Sequence, residues 1–74
     1  MAEHTLDAKG LNCPLPIIKA KKMLKSLPEG DILKIESTDP GSVADFAAFC
    51  RQTGNELVSS ESAGDIYNFE IRKT

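Results

Sequence analysis

Tyr67-Asn68-Phe69-Glu70-Ile71-Arg72 is the stretch that decides the fold. Apolar and polar residues alternate through all of it, so an extended chain here has one face to bury and one to hydrate. Just upstream, Ala63-Gly64-Asp65 reads as a hairpin turn, and Leu57 and Val58 belong to the strand that enters it. Further back, Leu33 and Ile35 alternate with Lys34 and Glu36 in a strand that runs to Thr38. Near the start, His4, Leu6 and Ala8 alternate with Thr5 and Asp7 in a strand ending at Lys9-Gly10. Strands that are apolar on one face only call for helices on one side of the sheet only.

Two helices fill the intervals. From Pro14 to about Leu27, the residues Ile17, Ala20, Met23, Leu24 and Leu27 recur at helical spacing, and Pro28-Glu29-Gly30 stops them. The second helix is expected to begin at Ser42, where Ser42 and Asp45 fit a capping box, and to end at Thr53-Gly54-Asn55. Its expected apolar stripe is Val43, Phe46, Ala47 and Cys50. The order β-α-β-α-β-β predicts an α+β two-layer sandwich: a four-stranded mixed sheet with two helices packed on one face, in a single domain over residues 1–74. If the first two strands are parallel neighbours, both strand-to-helix loops leave the same sheet edge, where open sheets usually bind ligands. Asp39-Pro40-Gly41-Ser42 then lies near Cys13, and Gly10 and Gly41 are expected to keep the two loops low.

Size and charge narrow the function. A chain of 74 residues buries only about 60% of the surface it exposes when unfolded, so a surface site is expected in preference to an internal cavity. The net charge of −2 gives no whole-molecule attraction for nucleic acid or anionic lipid, and no direct nucleic-acid partner is expected. No apolar run reaches membrane-spanning length, and Met1-Ala2-Glu3-His4 lacks the features of a signal peptide. The expected location is the cytoplasm, where a reducing environment keeps Cys13 and Cys50 as thiols.

Cys13 is the candidate catalytic residue. It stands in Cys13-Pro14-Leu15-Pro16 directly before the first helix. Prolines at the first and third helical positions lose no hydrogen bond, because the first N–H groups of a helix have no internal acceptor. With Pro14 and Pro16 lacking donors, the Leu15 N–H is the donor expected to point toward the sulfur. A helix N-terminus favours an anion and lowers the thiol pKa toward the reactive thiolate. Cys50, in the apolar stripe, reads as a small buried hydrophobe. Two distant cysteines and the single His4 lack the clustered spacing of a metal site. His4, at the start of a strand, also offers no base for a cysteine hydrolase, which leaves thiol exchange or sulfur transfer as the chemistry suited to Cys13.

Projection of the first helix at about 100° per residue puts Leu15 and Ile18 opposite its apolar side, among Lys19, Lys21, Lys22 and Lys25. Leu15, Ile18, Lys19 and Lys22 therefore make a candidate docking surface for an acidic partner with something apolar to bury.

These residues resemble the TusA/SirA family of small sulfur carrier proteins. The resemblance rests on Leu6-Asp7, Gly10-Leu11-Asn12-Cys13-Pro14-Leu15-Pro16, the lysine-rich helix, Thr38-Asp39-Pro40-Gly41-Ser42, Asp45-Phe46 and Gln52-Thr53-Gly54-Asn55-Glu56-Leu57, in order over nearly the whole chain. It implies a persulfide carried on Cys13, loaded by a cysteine desulfurase or rhodanese-like donor and handed to the thiol of an acceptor protein. Endpoints in the family include thiolation of the wobble uridine of tRNA, molybdenum cofactor synthesis and cytoplasmic sulfur oxidation. No cofactor is implied beyond the covalent sulfur, and Cys50 inherits no catalytic role. A monomer suits a carrier that must meet successive partners. The competing reading is a regulatory or RNA- or protein-binding module with Cys13 as a redox-sensitive switch. A third, in which Cys13 and Cys50 act as an oxidoreductase pair, conflicts with a Cys50 that faces the core.

Overall fold

Parallel pairing of the two N-terminal strands sets the layout. The structure is a computed structural model that describes residues 2–12 and 15–74. The elements are β1 (Glu3–Ala8), α1 (Leu15–Ser26), β2 (Ile32–Ser37), α2 (Ser42–Thr53), β3 (Glu56–Ala63) and β4 (Ile66–Arg72). They form one mixed sheet in the order β1-β2-β4-β3. β1 runs parallel to β2, from Glu3 opposite Ile32 to Ala8 opposite Ser37. β4 is antiparallel to both β2 and β3. It follows that β1, β2 and β3 share one direction, and that the two helices run side by side with their N-termini at the same edge.

The two-residue alternation does what it predicts. In β2, Leu33, Ile35 and Ser37 are buried while their neighbours are half-exposed. In β4, Phe69 and Ile71 are buried. These side chains meet Ala20 and Leu24 of α1 and Phe46, Phe49 and Cys50 of α2 in one core cluster. Phe46 lies at its centre, 4.8 Å from Phe69 and 6.4 Å from Phe49 between ring centroids, the latter edge to face, as aromatic quadrupoles prefer.

A left-handed glycine lies directly after α2 and another four residues after the end of α1. Gly54 takes a φ of 81° and donates its N–H to the Cys50 carbonyl, a left-handed C-cap. After α1, Gly30 takes a φ of 91°. The Lys73 ammonium donates to the Leu24 carbonyl at 2.8 Å, a cation on the negative end of α1. Hydrogen bonds between Gly30, Asp31 and Lys73 backbones tie the C-terminal tail to the same place.

Two expectations need correction. The N-cap of α2 is Gly41, and no side chain caps it. Ser42 lies inside the helix, fully buried, and donates its hydroxyl to the Asp39 carbonyl at 2.6 Å. No capping box forms. The buried stripe of α2 is Ser42, Phe46, Phe49 and Cys50, leaving Val43 and Ala47 exposed. Phe49 carries far more apolar area than Ala47, so the helix rolls to bury the ring. The strand expected at Leu57 and Val58 is β3, and it runs on to the hairpin at Ala63. The register skips between Leu57 and Ser59, which leaves Val58 bulged and exposed.

Candidate functional site

The edge at which β1 and β2 end carries both strand-to-helix loops, as the parallel pairing requires. Cys13 and Pro14 themselves lie outside the described residues. What the structure describes is the frame on either side of them. The chain leaves β1 through a turn in which the Leu11 N–H donates to the Ala8 carbonyl at 3.2 Å. Its third residue, Gly10, has a φ of 81°, a conformation that a side chain would strain. The Lys9 N–H donates to the Asp7 carboxylate at 3.0 Å, and Leu11 packs against the core.

The Leu15 N–H does not remain available for a sulfur. It donates to the Asn12 carbonyl at 2.9 Å, so that expectation is withdrawn. Pro16, the second residue of α1, is fully buried, and its ring anchors the first turn against the protein while its lack of a donor removes no bond. Leu15 and Ile18 point the other way, 47% and 49% exposed. Around them Lys19, Lys21, Lys22 and Lys25 are all exposed. α1 contains no acidic residue in its first turn, and none of these four lysines makes an ion pair among the described residues. The face expected to be basic and partly apolar is so.

The second loop is built from polar groups placed in the core. Ser37, fully buried at the end of β2, accepts the Asp39 N–H at 3.2 Å. The Asp39 carboxylate accepts the Gly41 N–H at 3.0 Å. The Asp39 carbonyl accepts both the N–H and the hydroxyl of Ser42. A Cβ added to Gly41 would meet Asp39 at an ordinary 3.5 Å, so this glycine is not demanded by space. The two loops are joined by one bond that periodicity could not reveal: the Gly10 N–H donates to the Thr38 hydroxyl at 2.9 Å. Lys9 adds a weak exposed contact to Glu36 at 3.5 Å. Val43, in the first turn of α2 at this same edge, is 42% exposed. Sequence reading assigned it to the core.

Other candidates fall away from the edge. Cys50 is 5% exposed within the core cluster, and burial pushes its thiol up from the ordinary value. His4 lies at the opposite end of β1, with its Nε2 2.9 Å from the Asp31 carboxylate. Asp31 also accepts the Ala2 N–H. Its carboxyl is held below the ordinary range, first by the hydrogen bond to His4 and then by that from Ala2. Among the described residues no group of His, Cys, Asp and Glu could hold a metal ion. A groove of about 280 Å³ runs over the uncovered sheet face, lined in part by Thr5, Lys34, Glu36, Ser59 and Glu70. Within it Ser59 donates to Glu70 at 2.8 Å, and Lys34 pairs with Glu3 beside it at 3.3 Å. No helix is long and apolar enough to cross a membrane among the described residues.

Residues 4–73 match the family described as Sulfurtransferase TusA. The chain is 53% identical over 72 residues to the sulfur carrier protein TusA of Allochromatium vinosum, covering 97% of this chain and 95% of that protein. The same length is 48% identical to YrkF of Bacillus subtilis, a longer protein of which it spans 39%. Among solved structures, the SirA-like protein of Desulfitobacterium hafniense superposes with a TM-score of 0.82 at 27% identity, covering 97% of this chain and 96% of that one.

Proposed function

Because the chain belongs to the TusA family of sulfur carrier proteins, we propose that it carries sulfane sulfur as a persulfide on Cys13. The Cys13 thiolate attacks the outer sulfur of a donor persulfide, the S–S bond of the donor breaks, and the donor cysteine leaves as thiolate. In the second half, an acceptor thiolate attacks the outer sulfur on Cys13, which leaves as thiolate in turn. Electrons balance in both halves without an added oxidant or cofactor. The start of α1 favours the anionic states through which Cys13 passes.

The observation that carries this reading is the surface that flanks the sequence position of Cys13. Leu15 and Ile18 are exposed there beside four lysines that make no ion pair among the described residues. Such a surface suits a protein partner with a carboxylate border and an apolar centre. Leu15, Ile18, Lys19 and Lys22 form the docking face in this account, and Val43 stands at the same edge. The donor is a cysteine desulfurase or a rhodanese-like protein, and the acceptor is a relay protein with its own thiol serving tRNA thiolation, molybdenum cofactor synthesis or sulfur oxidation. The carrier works as a cytoplasmic monomer.

Mass spectrometry after incubation with a cysteine desulfurase and cysteine tests the proposal. One sulfur atom should be gained on the peptide that contains Cys13, and the Cys13→Ser variant should gain none. Loading that persists in Cys13→Ser would overturn the assignment.

A further inference from the structure

We infer that Thr38 is a positioning residue for Cys13, acting through the hydrogen bond that its hydroxyl accepts from Gly10. This inference rests on the sulfur-carrier reading. The segment Lys9–Asn12 leads directly into Cys13 in the sequence. Its other restraints are local, nonspecific or weak: the turn bond from Leu11 to Ala8, the Asp7 contact to Lys9, the bond that the Asn12 carbonyl accepts from Leu15, the packing of Leu11 on the core, and the exposed 3.5 Å contact of Lys9 with Glu36. Local bonds set the shape of a turn but leave it free to swing about the end of β1. The Gly10–Thr38 bond, at 2.9 Å and 28 residues apart in sequence, joins this turn to the other loop of the edge.

Thr38 itself is well held. It follows Ser37, the buried last residue of β2, and precedes Asp39, whose N–H is taken by that serine. The hydroxyl thus presents an acceptor fixed by the sheet to a donor on a glycine turn. Water can compete for an exposed N–H, so the restraint is worth about a two- to threefold change in the ratio of seated to unseated turn, at the low end for a neutral hydrogen bond.

The test compares Thr38→Val, which keeps the shape and removes the acceptor, with Thr38→Ser, which restores it. Iodoacetamide alkylation of Cys13, followed across pH on the peptide that carries it, reads the thiolate fraction without any partner protein. Loading by a cysteine desulfurase then gives maximal rate and half-saturating donor concentration separately. For Thr38→Val the alkylation midpoint should move to higher pH, and the maximal loading rate should fall by up to about two- to threefold with half-saturation unchanged. Thr38→Ser should match the wild type in both. Should Thr38→Val melt lower yet keep the wild-type alkylation profile and maximal rate, Thr38 is structural only and the inference is overturned. Failure of the sulfur-carrier reading looks different: the wild type itself gains no sulfur, while the alkylation comparison still reports on the bond.

Discussion

Replacing Cys50 by alanine separates the two thiols of this chain more sharply than any change at Cys13. Cys50 is 5% exposed and packs in the cluster with Phe46 and Phe49. Removing its sulfur forfeits a transfer term close to that of one buried methylene, ~0.8 kcal/mol, plus a share for the void that rigid neighbours leave, for a total of about 1 to 1.5 kcal/mol. A single core of this size supplies only ~3 to 5 kcal/mol. For domains of 60–100 residues roughly each 1 kcal/mol moves the melting temperature by about 4–8 °C, so Cys50→Ala should melt about 4–12 °C lower. The buried thiol also makes a pH signature. Its folded pKa is raised by desolvation above the ordinary 9.0, so its stabilising effect is complete below that value and is lost as pH rises through the higher folded one. Thermal melts between about pH 7 and 11 should show a high-pH decline in the wild type that is smaller in Cys50→Ala. Sulfur loading of the folded variant should equal that of the wild type at a temperature well below both melts. A variant that melts like the wild type yet loses loading would refute the separation, as would a native Cys50 that alkylates as fast as Cys13.

The double variant Lys22→Glu with Ile18→Ala should leave iodoacetamide alkylation of Cys13 unchanged and lower protein-to-protein sulfur transfer about tenfold or more, because it removes a charge and an anchor from one docking face. Unchanged transfer would remove this helix from the interface. At the far end of β1, the folded carboxyl of Asp31 lies below its ordinary 3.8. Its stabilisation is therefore present above that value and is lost as pH falls through the lower folded one. His4→Leu removes the largest cause of that shift, so melts between about pH 2 and 6 should show a shallower acid decline for this variant, and superimposable declines would show that the pair contributes nothing.

Much of the architecture was legible because three strands obey a strict two-residue alternation. β4 from Tyr67 to Ile71 has no exception, and the helix stops at Gly30 and Gly54 lie where left-handed backbone is needed. Ser59-Ser60-Glu61-Ser62 hid the rest of β3. These residues pair with β4 through backbone bonds while offering no apolar period to detect. The roll of α2 escaped for another reason. Val43-Phe46-Ala47-Cys50 and Ser42-Phe46-Phe49-Cys50 both fit helical spacing, and only the competition between Phe49 and the smaller residues for core volume decides between them. At the candidate site, exposure of Leu15 and Ile18 followed from projection alone. The bond from Gly10 to Thr38 did not, since a contact across 28 residues leaves no local trace.

The placement of buried polar groups explains why so small a domain can hold a defined loop edge. Ser37 and Ser42 are fully buried and both bind Asp39 of the loop between β2 and α2. Each occupies a position where an apolar residue would enlarge the core, and a buried hydroxyl is tolerated only when hydrogen-bonded. The two serines thus exchange apolar burial for fixed loop geometry at the one edge where both helices begin. Thr38 lies between them in sequence and extends the same fixed frame to Gly10. A small domain with a surface site can control chemistry by holding in place the residues that frame that site. In Ser37→Ala with Ser42→Ala, amide hydrogen exchange should therefore quicken first at Asp39, Gly41 and Gly10, while the β2–β4 amides, whose pairing depends on neither hydroxyl, stay protected; unchanged protection at the loop amides would refute this role of the serines.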